Sequence, residues 1–74
     1  MSQEEVKALV DGDYVIDIEM NKIFKVSKFY KSGVLLYEQW ENDFGVFVQN
    51  IFVRYSDLFT KRYRSFEEWL IMNG

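Results

Sequence analysis

Asp17 and Glu19 stand two residues apart in a stretch that alternates apolar and polar residues. On an extended backbone that spacing sets two carboxyls about 6.5–7 Å apart on one face. Carboxyls so separated can divide acid from base work. The simpler account is the solvated face of a half-buried strand. Little else in the chain could join them. Histidine, the commonest general base, is absent, and so is cysteine. The serines at 2, 27, 32, 56 and 65 thus have no histidine to activate them. The four glycines stand singly at 12, 33, 45 and 74, so no phosphate-cradling loop is present. Asp11, Asp13 and Asp17 hint at calcium, but Val15 and Ile16 occupy the positions where an EF-hand needs a ligand and a glycine. The usual tetrahedral zinc set cannot be assembled without His or Cys. The expectation is a protein that binds rather than catalyses, with no cofactor and no metal.

The aromatic content says more. Seven Phe, five Tyr and two Trp occur in 74 residues. Each can bury about 150–250 Å², and a domain of this size buries only roughly 60% of the surface its unfolded chain exposes. The set cannot all fit inside. The surplus predicts an interface, since aromatics, Met and Arg are enriched where proteins meet. Phe29, Tyr37, Trp40, Phe44 and Phe52 are the candidate anchors. Asp17, Glu19, Glu41 and Asp43 are the candidate acidic rim. Two partners fit this pattern: a second copy of the chain, giving a homodimer that supplements a small core, or a heterologous protein steered by the acids.

The net charge is −3 and the isoelectric point is about 4.8. A nucleic-acid backbone binder usually carries a basic field, so that class is disfavoured. Charge is nonetheless uneven. Residues 1–20 hold six acids against Lys7, whereas residues 21–37 hold four lysines and no acid. An alternative is a single-strand binder that stacks bases on its sheet, using Lys25, Phe29, Lys31, Arg54, Arg62 and Arg64. A second alternative is a small acidic inhibitor of the kind mobile elements such as phages encode, its carboxylates imitating phosphates. No secretory leader pattern is present at the acidic start Met1–Glu5. No apolar run nears the ~20 residues of a membrane span. A cytoplasmic location is expected.

These residues must be positioned by short elements. Ser2 and Glu5 form a capping box ahead of Val6, Leu9 and Val10, predicting a helix over 3–10 that stops at Gly12 in a left-handed conformation. Residues 14–20 alternate, with Tyr14, Ile16, Ile18 and Met20 on one face and Val15, Asp17 and Glu19 on a wet one. Asn21-Lys22 is a turn. Residues 23–30 form a second strand with Phe24, Val26 and Tyr30 on one face and Lys25 and Phe29 on the other. Gly33 is expected to supply a positive φ in the next turn. A third strand spans 34–40, and a polar loop spans 41–45. Residues 46–55 are one strand covered on both faces, or two bent at Gln49-Asn50. A turn at 57–60 precedes a helix capped by Ser65 and Glu68, ending at Asn73-Gly74. A longer helix from Ser56 is the competing reading.

The fold class is therefore α+β in one domain, residues 1–74: a short N-terminal helix, a four- to five-stranded antiparallel meander, and a C-terminal helix. The run Gly12-Asp13-Tyr14-Val15, then Val26, then Gly33-Val34-Leu35-Leu36, ending in Tyr55-Ser56-Asp57-Leu58, is similar in pattern to SH3-like barrels. The similarity covers residues 12–58 and rests on common motifs. It implies that the meander can curl into a small barrel, and it identifies no family.

Overall fold

The computed structural model describes residues 1–73, without the side chain of Asn73; Gly74, the last half of the expected C-terminal stop, lies outside the described residues. Helix α1 (Gln3–Ala8) leads into strands β1 (Tyr14–Asp17), β2 (Lys22–Phe29), β3 (Gly33–Asn42) and β4 (Gly45–Arg54). A single helical turn, α2 (Tyr55–Leu58), a short strand, β5 (Tyr63–Ser65), and helix α3 (Phe66–Asn73) complete the chain. The five strands form one antiparallel sheet in the order β4-β3-β2-β1-β5. The α+β class and the meander are as expected. The sheet stays open, with β4 and β5 as its edges, and does not close into a barrel.

Local chemistry explains the ends of these elements. Ser2 Oγ accepts the Glu5 N–H at 3.1 Å while Glu5 Oε1 accepts the Ser2 N–H at 2.9 Å, which is the reciprocal capping box. Gly12 takes the expected positive φ, +94°, but it does not stop α1, which ends at Ala8 with Leu9 in extended backbone; Gly12 serves the turn at 10–13 that leads into β1. Ser65 Oγ accepts the Glu68 N–H at 3.2 Å and starts α3. The competing long helix from Ser56 does not form. Residues 59–62 instead turn the chain so that residues 63–65 add to the sheet beside β1.

One face of the sheet carries the core. Val15, Phe24, Val26, Val34, Leu36, Val53 and Tyr63 are buried together, and Val6 of α1, Leu58 of α2 and Met1 close over them. Each fully buried aliphatic or Phe side chain contributes about 1.5–3 kcal/mol. The Met1 amino group donates to the carbonyls of Leu58, Thr60 and Tyr63 at 2.8–3.1 Å, holding the chain start against the α2–β5 turn. On the opposite face α3 packs against β1 and β5, with the Tyr14 and Phe66 rings 5.9 Å apart.

Three expectations about faces are corrected. Val15 and Asp17 are buried, not on a wet face, because β1 presents them to the core; Tyr14 is exposed. The strand also stops at Asp17, whose Oδ1 accepts the Met20 N–H at 3.2 Å, and Asn21 then turns the chain at φ 53°. In β2 the register with β3 shifts between Val26 and Lys28. That bulge at Ser27 reverses the alternation, so Phe29 joins Val26 on the core face and Lys28 moves to the other. Residues 45–54 form one continuous strand with no register shift. Over most of its length neither face is covered: of its apolar side chains only Val53 is buried and Ile51 partly so.

Gly33 also departs from expectation, since its φ is not positive. It is needed for space: a Cβ there would lie 2.3 Å from the Val53 carbonyl oxygen and 2.7 Å from Phe52 Cζ. Gly33→Ala must push β3 and β4 apart at the end that holds Val34 and Val53. It is expected to destabilise the domain by about 1–3 kcal/mol, the usual cost of overpacking. An unchanged urea midpoint would disprove the close approach.

Candidate interaction surface

The β3–β4 hairpin outruns everything that could cover it. Its ten pairs run without interruption from Gly33↔Arg54 to Asn42↔Gly45. The neighbouring strand β2 pairs with β3 only as far as Tyr37. Beyond that point the hairpin continues as a two-stranded ribbon. At its tip the Phe44 N–H donates to Asn42 Oδ1 at 2.8 Å, and Gly45 adopts φ +130°.

Residues opposite each other in an antiparallel pair share a face. On the core face the pairs run Val34↔Val53, Leu36↔Ile51, Glu38↔Gln49 and Trp40↔Phe47. The first two are core, the third is polar, and the fourth is apolar again. Trp40 and Phe47 stack with centroids 5.8 Å apart and planes at 18°, yet they remain 42% and 39% exposed. On the other face stand Leu35↔Phe52, Tyr37↔Asn50, Gln39↔Val48 and Glu41↔Val46. Phe52 meets Tyr30 edge to face at 5.9 Å, and the Tyr37 hydroxyl donates to Gln39 Oε1. Phe44, at the tip, is 92% exposed.

Four of the five expected anchors, Tyr37, Trp40, Phe44 and Phe52, thus lie on this one hairpin. Phe29 does not join them. The bulge sends it to the core side, where it lines an apolar concavity with Val6, Leu9, Tyr55 and Phe59 between α1 and α2. Phe47, Val46 and Val48 join the surface beyond the expected anchors, because an apolar strand on both faces reads equally well as one covered on both. A signal is present: residues 45–53 contain no charge and no proline.

The expected acidic rim divides. Glu41 and Asp43 sit at the ribbon tip. Asp17 is 1% exposed and does not belong to a rim. Arg62 grips it with two bonds, Nε to Oδ1 at 3.0 Å and Nη2 to Oδ2 at 2.8 Å, and Arg62 Nε also lies 3.5 Å from Glu19 Oε2. Burial alone would raise the Asp17 carboxyl pKa. The Arg62 fork and the backbone N–H groups of Met20 and Glu19 outweigh it and hold the pKa below its usual value.

The basic residues do not converge either. Lys25 lies on the face opposite the core, across from Tyr14 and Tyr37, and Lys31 lies in the β2–β3 turn. Arg62 is held by Asp17, and Arg64 donates to Glu68 Oε1 at 2.8 Å. Arg54, at the end of β4, makes no ion pair among the described residues. No cluster of metal-ligating side chains occurs among the described residues, and none of their helices is long and apolar enough to cross a membrane. Comparison with protein-family models, curated proteins and solved structures finds no match to this chain.

The ion pair makes a pH prediction. Because the native pKa of Asp17 is lowered from an unfolded value near ~3.9, its contribution is fully present above that value. It is lost as pH falls through the native one. Asp17→Asn should cost about 1–3 kcal/mol at neutral pH. The gap between wild type and variant in urea midpoint should narrow below about pH 4. A gap that stays constant into strong acid would show that the carboxylate charge is not what Arg62 recognises.

Proposed function

We propose that this protein is a non-enzymatic protein–protein interaction module that self-associates through the apolar surface of its β3–β4 hairpin. The observation that carries the reading is the ribbon beyond Tyr37: it bears Trp40, Phe44, Val46, Phe47 and Val48, all exposed, on a strand pair that the rest of the chain does not cover. Exposed apolar patches of this kind mark contact sites. Rigid aromatic rings bind at low cost in side-chain entropy.

Supporting observations come from the chemistry the molecule has already committed. Asp17 and Glu19, the carboxylate pair singled out for catalytic spacing, converge on Arg62, and the Asp17 pKa is held low. A carboxyl kept below its usual pKa is poorly placed to donate a proton at neutral pH. For single-strand recognition, Arg62 and Arg64 are taken up by carboxylates and Phe29 faces the core side, so the six residues form no common track. The cysteine-free composition fits a cytoplasmic protein.

Light scattering across a hundredfold dilution series tests the reading, with a mass that falls toward the monomer on dilution as the expected result. Trp40→Ala should weaken association by at least ~2 kcal/mol, as truncating a central anchor does. It should leave the fold intact, because Trp40 lies outside the core cluster. A wild-type mass fixed at the monomer over the whole series would refute self-association. A Trp40→Ala chain that no longer folds would make Trp40 a structural residue instead.

A further inference from the structure

Edge strand β4 has a defined hydrogen-bonding phase. The Ser32 carbonyl accepts the Tyr55 N–H at 3.2 Å, toward β4, whereas the Gly33 carbonyl accepts the Tyr30 N–H at 2.8 Å, toward β2. The β3–β4 register has no shift, so this alternation carries along the hairpin. Residues 47, 49, 51 and 53 therefore spend their backbone groups on β3. Val46, Val48, Asn50 and Phe52 point theirs out of the sheet.

Resting on the self-association reading, we infer that the occupant of this edge is β4 of a second copy, antiparallel, with Gln49 on the two-fold axis. In that register residue numbers across the seam sum to 98. The whole uncharged run 45–53 then overlaps itself, so no like charges meet. Outward-pointing residues pair with outward-pointing ones: Val46 with Phe52, and Val48 with Asn50, in both directions. Four such pairs exchanging two bonds each give roughly eight new backbone hydrogen bonds. On the core side Phe47, with Trp40 stacked behind it, lies opposite Ile51 of the second copy.

Charge complementarity favours a second copy as the occupant. Just outside the uncharged run stand Asp43 at one end and Arg54 at the other, and neither makes an ion pair among the described residues. In the proposed register Arg54 of each copy lies one position past the paired run, beside the turn of the other copy that carries Asp43 and Phe44, so opposite charges are brought to both ends of the seam by symmetry. The contact is isologous and uses up β4 in each copy, so it closes as a dimer.

The absence of native cysteine makes the test clean. Gln49 bonds inward to β3, so across the seam it faces its own copy in a non-hydrogen-bonded pair, with Cα atoms about 4.5 Å apart. That is within disulfide reach. Gln49→Cys should oxidise to a covalent dimer under mild conditions. Phe47→Cys, four residues from its own copy across the seam, should not. Val48→Pro removes an N–H that points only outward and leaves the β3–β4 ladder whole. It should raise the dissociation constant at least tenfold while the far-UV circular dichroism is kept. A wild type that dimerises by light scattering while Gln49→Cys fails to crosslink would overturn the seam and leave self-association standing. Crosslinking of Phe47→Cys in preference to Gln49→Cys would overturn the register. A wild-type chain that is monomeric, with no crosslink in either variant, would remove both.

Discussion

Strands β3 and β4 are each ten residues long, while the elements able to cover them are one six-residue helix and one helical turn. That mismatch of length governs the molecule. The core face of the hairpin is filled as far as Val34, Leu36 and Val53, where Val6 and Leu58 reach it. It then meets the polar pair Glu38↔Gln49, where Lys22 reaches Glu38 at 3.4 Å. A ribbon that had simply run past its core would be polar from there on. Instead the next pair is Trp40↔Phe47 and the tip is Phe44. Burying such rings within 74 residues would need a second layer that a domain of this size does not have.

At the other end of the sheet the problem is solved by the chain itself. Strand β5 is only three residues long, and α3 packs against it and β1. Arg62, just before β5, ties that strand to β1 through Asp17, and the Ile18 N–H donates to the Arg62 carbonyl at 2.9 Å. The two sheet edges are thus unequal: one is short and guarded, the other long and bare.

What could be read in the sequence follows from how local the controlling interaction is. The caps act within three residues: Ser2 and Glu5 close a full capping box, while at α3 only the Ser65 hydroxyl caps and the Glu68 carboxylate takes Arg64. Period-two alternation locates the first four strands, but β1 stops at Asp17 rather than Met20, and where a polar loop over 41–45 is expected β3 runs on to Asn42 and β4 starts at Gly45. Alternation gives a period but not the face that is buried. Nothing local marks Asp17 as buried, because its partner Arg62 lies 45 residues away. The reversal of Phe29 depends on one extra residue at Ser27 that has no signature in composition. The need for glycine at 33 is legible but its reason is not, because the constraint is the approach of β4 rather than the residue's own φ. Clustering of Tyr37, Trp40, Phe44 and Phe52 came through because all four lie in consecutive strands joined by a tight turn.

The distribution of charge among the strands bears on what the bare edge is for. Proteins usually guard an edge strand with lysine, proline, a bulge or brevity. Here the lysines at 22, 25 and 28 and the bulge at Ser27 all fall on β2, an interior strand paired with β1 over 22–25 and with β3 over 25–29. Strand β4 is long, has no register shift, and is uncharged from Gly45 to Val53. An unguarded strand of this composition is an aggregation hazard unless something occupies it. The hazard is limited by the other edge, since a strand of three residues offers little to extend. Pairing that consumed β4 would leave no second long edge from which a fibre could grow. Such an arrangement supports a single closed contact as the reason the edge was left open.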